Sequence, residues 1–69
     1  MSWSRIAELW DDLVDQLVGR WPAMDMDVVR AASGAQDRLA AHLAQSHHLT
    51  MSEALEELEL WRESLARRG

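Results

Sequence analysis

Between residues 3 and 21, apolar side chains return every three or four positions. Trp3, Ile6, Trp10, Leu13, Leu17 and Trp21 form one stripe, widened by Leu9 and Val14, while Glu8, Asp11, Asp12 and Asp15 fill the other side. That is the period of an amphipathic helix, and it predicts a first helix from about Ser4 to Arg20. Gly19 weakens the last turn, and Trp21-Pro22 ends it, because the residue before a proline is driven out of the α region.

The pattern then resumes in shorter pieces. Asp25 is placed to cap a second helix, with Asp27 in its first turn, an apolar face of Val28, Val29 and Ala32, and an end at Ser33-Gly34, where glycine can take the left-handed conformation. A third helix spans roughly Gln36 to Ser46, with Leu39, Ala40 and Leu43 on one side. Thr50-Met51-Ser52-Glu53 reads as a capping box preceded by a stapling Leu49, and it opens a fourth helix from about Met51 to Ala66. The stripe there is Ala54, Leu55, Leu58, Trp61 and Leu65, with Glu53, Glu56, Glu57, Glu59 and Glu63 outside. Early acids and the late Arg67-Arg68 suit the helix dipole, and Glu63 with Arg67 adds a pair one turn apart. Leu60 stands outside this stripe. The expectation is one all-α domain over residues 1–69, a small four-helix bundle.

Composition narrows the chemistry. Sixty-nine residues, 48% of them hydrophobic and four of them tryptophan, suffice for one compact core. No cysteine is present, which removes disulfides and thiolate metal sites. The apolar residues are too scattered for a membrane span, and MSWSRIAELWDD turns acidic where a signal peptide would be apolar. These features predict a cytoplasmic protein with no membrane contact. A net charge of −5, with arginine as the only cationic side chain apart from histidine, disfavours nucleic acid, whose affinity rests on neutralised phosphates.

Three constellations could carry chemistry. His42, His47 and His48 lack the three- or four-residue spacing that lets two imidazoles share a helix face and a metal. His47 and His48 read instead as the end of helix three and the turn toward Thr50, where a cation suits exposed carbonyls. Trp10, Trp21 and Trp61 lie on the stripes and read as core anchors, whereas Trp3 sits at a frayed end. Met24 and Met26 flank Asp25, and one of them is expected to plug the core. Ser33-Gly34 follows no strand and makes no nucleophile elbow. The reading is a protein without catalytic residues, metal or cofactor.

One resemblance fits this order. Trp10-x-x-Leu13, Leu17, Trp21, the acid-rich turn Asp25 to Asp27, Gly34, Asp37-x-Leu39, Leu43, Ala54, Glu57-Leu58 and Trp61 together resemble the CsbD-like bacterial general stress proteins. The likeness runs without gaps from Trp10 to Trp61. It implies a SAM-like arrangement of two helical hairpins packed orthogonally, and a setting in bacterial stress responses. Relatives are lysine-rich and carry Gly-Lys pairs where this chain has Asp15-Gln16 and Ala41-His42. They place a Gly at Pro22, and an aromatic-Gly turn where this chain has His47-His48. The resemblance brings no catalytic residue or cofactor with it.

The leading expectation is a small stress-associated protein acting through contacts with a protein partner. Its candidate surfaces are the acidic face Glu8, Asp11, Asp12 and Asp15, and the outer face of the fourth helix around Glu56, Glu59 and Glu63. A second reading is a self-assembling homo-oligomer, with exposed Trp3 and Leu60 extending the stripes between subunits. A third, weaker one is a nucleic-acid-binding helical module.

Overall fold

The computed structural model describes residues 2–67, with side chains described to residue 65; the Arg67 and Arg68 side chains, and with them the Glu63–Arg67 pair, lie outside the described residues. The described chain is all-helical: α1 (Trp3–Glu8), α2 (Trp10–Arg20), α3 (Met26–Ala32), α4 (Gln36–His47) and α5 (Met51–Arg67). Three of the expected helices stand close to their expected limits, but the first is two. Leu9, at φ −101° and ψ 17°, separates α1 from α2. Its N–H is shared between the Arg5 carbonyl at 3.2 Å and the Ile6 carbonyl at 3.1 Å, a tightened turn and not a break in the ladder.

No proline or glycine marks that bend. Its cause is tertiary: α1 swings so that Ala7 packs on Gly34 and Trp3 reaches α5. Trp3 is therefore not the frayed, exposed residue expected. It is half-buried, its ring centroid 6.4 Å from that of Trp61. Its indole N–H donates to Glu59 Oε1 at 3.2 Å.

The elements are made by local chemistry. Ser2 Oγ accepts the Arg5 N–H to cap α1, and Asp25 Oδ1 accepts the Asp27 N–H at 2.8 Å to cap α3. Trp21 ends α2 with φ −130° and ψ 82°, in keeping with the proline that follows it. At α5 the capping box closes in both directions: Thr50 N–H donates to Glu53 Oε1 at 2.9 Å, and Glu53 N–H donates to Thr50 Oγ1 at 3.1 Å. Leu49, just before the cap, is partly buried against the core cluster to which Ala54 belongs.

Packing follows chain order, with α2 on α3, α3 on α4 and, most extensively, α4 on α5. The centre is apolar. Ile6, Val14, Leu17, Val29, Leu39, Leu43 and Leu58 are fully buried, with Trp10, Trp21 and Trp61 around them. Each such aliphatic side chain contributes about 1.5–3 kcal/mol by leaving water. Met24, in the turn between α2 and α3, is buried in the core cluster, while Met26 is exposed.

Two turns use left-handed backbone without relying on glycine alone. Ser33 (φ 49°) and Gly34 (φ 84°) both take it after α3. His48 (φ 54°, ψ 43°) takes it after α4, where its N–H and that of Leu49, at 2.9 Å, both reach the Ala44 carbonyl. This is the geometry in which glycine normally sits. An L-residue there carries roughly 1–2 kcal/mol of steric cost, partly offset because glycine has more unfolded freedom to lose. His48→Gly should therefore stabilise the fold by about 0.5–1 kcal/mol. A rise in the thermal midpoint, followed by circular dichroism, checks this.

Candidate functional site

The marked acids divide by environment. Glu8 lies on α1 and Asp11, Asp12 and Asp15 on α2, all four exposed. Glu8 is held by Arg5, whose Nη1 donates to its Oε2 at 3.0 Å. The Leu9 bend splits this row across two helices, so it is not one continuous face. On α5, Glu56 and Glu63 are exposed, and Glu59 is half-buried.

Glu59 gathers three elements. Its Oε1 accepts from the Trp3 indole N–H and from Gln36 Nε2 at 3.1 Å. Its Oε2 accepts from Arg62 Nε at 2.9 Å and Nη2 at 2.7 Å. The carboxylate thus ties α1 and the first turn of α4 to α5, and its work is internal. These contacts hold the Glu59 carboxyl below the usual glutamate range, the Arg62 hydrogen bonds first and the Trp3 bond second, against some desolvation. Glu53 is lowered too, by the Thr50 backbone N–H and then the Thr50 side chain.

A lowered carboxylate pKa stabilises the fold above the unfolded value and loses that contribution as pH falls through the folded one. Stability should thus hold down to the ordinary glutamate pKa of about 4.3 and decline below it. Glu59→Gln should lower the urea midpoint at pH 7 and flatten its fall toward pH 3. An unchanged acid slope would remove Glu59 as a source of the effect.

Leu60, one position on, points the other way and is 57% exposed. Its neighbours three and four residues away on α5 are Glu56, Glu57, Glu63 and Ser64. An apolar side chain is thus ringed by three carboxylates. Beside it runs an open groove of about 470 Å³ between α2 and α5, lined by Gln16, Arg20, Leu60, Trp61 and Ser64. Arg20 is fixed on the far wall. Its guanidinium stacks 5.0 Å from the Trp21 ring centroid, and its Nη2 lies 3.7 Å from Glu57 Oε2.

Sequence pattern singled out Leu60, because the stripe does not need it. Gln16 and Arg20 carried no such signal: they become a wall only when α2 comes alongside α5.

The histidines serve the fold. His42 Nε2 accepts the Asp25 N–H at 2.9 Å, a link from α4 to the cap of α3 that the sequence did not reveal. His47 is the last residue of α4 and His48 its left-handed cap, as the helix-ending reading expected. Among the described residues, no three His, Asp or Glu side chains are grouped to hold a metal ion. Nor is any helix long and apolar enough to cross a membrane.

No family model, curated protein or solved structure matches this chain.

Proposed function

We propose that this protein is a small, non-catalytic contact module of the CsbD-like, stress-associated type, working in the cytoplasm by binding another protein. The observation that carries the contact reading is Leu60, held out in solvent at the edge of an open groove, a position that the core does not require. The family reading rests on the ordered set from Trp10 to Trp61 given above. The pairing of α2 with α3 and of α4 with α5 is what two hairpins would have, and a SAM-like orthogonal packing of those hairpins belongs to the same proposal.

The partner in this reading is a protein and not a nucleic acid. Four of the seven arginines, Arg5, Arg20, Arg30 and Arg62, each face a carboxylate, namely Glu8, Glu57, Asp27 and Glu59, and together with the net charge of −5 this disfavours binding to phosphates. Self-assembly is the second reading, favoured by the same exposed Leu60. It has lost its other support, since Trp3 packs inward.

Affinity co-purification of a tagged copy from its own host, grown with and without osmotic or stationary-phase stress, tests the proposal. A stoichiometric partner supports the contact module. If the protein returns only with itself, and sedimentation gives a mass above the monomer, self-assembly replaces it.

A further inference from the structure

Resting on the contact reading above, we propose that the α2–α5 groove seats a basic amphipathic helix of the partner, one apolar side chain lying against Leu60 and Trp61 and its cations lying on the surrounding glutamates. The groove is lined by a single turn of each wall, Gln16 to Arg20 on one side and Leu60 to Ser64 on the other. Such a length takes one anchoring side chain, a single turn of the longer anchor set that helix-in-groove recognition uses.

Charge decides the occupant. Glu56 and Glu63 flank Leu60 one turn away on either side, Glu57 beside them is already paired with Arg20, and the whole chain carries −5. The cation on the opposite wall, Arg20, is already turned to Glu57 and Trp21. An acidic helix would be repelled. A second copy would bring its own Glu56 and Glu63 against these, and like charges facing across an interface disfavour that pairing. A helix with leucine at one anchor position and lysine or arginine three and four residues away satisfies both the apolar centre and its rim.

The test titrates the isotopically labelled protein with a synthetic helical peptide of leucine and lysine at amphipathic spacing, followed by amide chemical shifts. A scrambled peptide of the same composition and a glutamate-for-lysine version are the comparisons. Expected are shifts centred on Gln16, Arg20, Leu60 and Ser64, with no binding of the acidic peptide. Leu60→Ser should weaken binding roughly tenfold, the scale of one leucine left unburied. Glu56→Gln with Glu63→Gln should weaken it further and reduce its salt dependence. All three positions are surface ones, so the variants should fold as the parent does.

Equal binding of the scrambled peptide, no binding of the amphipathic one, or shifts centred on Asp11, Asp12 and Asp15 would overturn the groove assignment. So would a dimer that Leu60→Ser converts to monomer. A host partner still co-purified by Leu60→Ser would leave the contact module standing and remove only the groove.

Discussion

Trp10→Ala should leave this protein largely unfolded at room temperature, while Trp10→Phe should fold with a clearly lowered denaturation midpoint. Trp10 is only 5% exposed and sits in the central cluster. Its indole N–H donates to the Val29 carbonyl at 2.9 Å. That carbonyl lies in the last turn of α3, where the N–H four residues on, that of Ser33, goes to Arg30 instead. The tryptophan therefore satisfies a helix-end acceptor from across the core and locks α2 to α3. Truncation to alanine costs about 3–5 kcal/mol by lost burial and cavity. A domain of this size holds roughly 3–5 kcal/mol in total. Phenylalanine keeps most of the apolar volume but abandons a buried acceptor, at about 1–3 kcal/mol. Urea denaturation of both variants, followed by far-ultraviolet circular dichroism, gives the comparison. A Trp10→Phe variant as stable as the parent would show that the Val29 bond contributes nothing.

Gly34→Ala carries the second large effect. A Cβ there would lie 2.6 Å from Ala7 Cβ and 2.8 Å from Ala7 Cα, at a residue with φ +84°. The left-handed backbone costs an L-residue roughly 1–2 kcal/mol. Forcing α1 away from the turn adds about 1–3 kcal/mol of overpacking. Because α1 carries Trp3 to Glu59, its displacement should also expose Trp61 and shift tryptophan emission to longer wavelength. Adding Ala7→Gly should recover part of the loss, since it removes the closest atom but not the Cα behind it. Gly19 is the internal control: no atom lies within 4 Å of a Cβ built there. Gly19→Ala should stabilise α2 by about 0.5–1 kcal/mol. Two substitutions of the same kind thus carry opposite signs, and thermal melts of both test the close approach directly.

What could be read in the sequence was what neighbouring residues decide among themselves. The Thr50–Glu53 box, the Asp25 cap and the pre-proline end at Trp21 involve partners within three positions, so the helix limits around them followed from local chemistry. The bend at Leu9 did not, because Gly34 and Glu59 impose it from far along the chain. The same division runs through the site. Leu60 declared itself by standing off the stripe. Glu59 looked like its exposed neighbours, since nothing local reports that Trp3 and Gln36 converge on it. The groove wall at Gln16 and Arg20 arises from helix apposition, which no periodicity encodes.

The clasp between Trp3 and Glu59 joins residues 56 positions apart, in a fold where the remaining helices pack on their neighbours in the chain. Topologies dominated by such local contacts fold in about microseconds to milliseconds. The clasp, in contrast, needs one long loop to close. During synthesis α1 leaves the ribosome before α5, which carries the other half of the clasp. Trp10 and Ala7 find their partners once α3 and the turn after it are made, but Trp3 waits for Glu59 and Trp61 of α5.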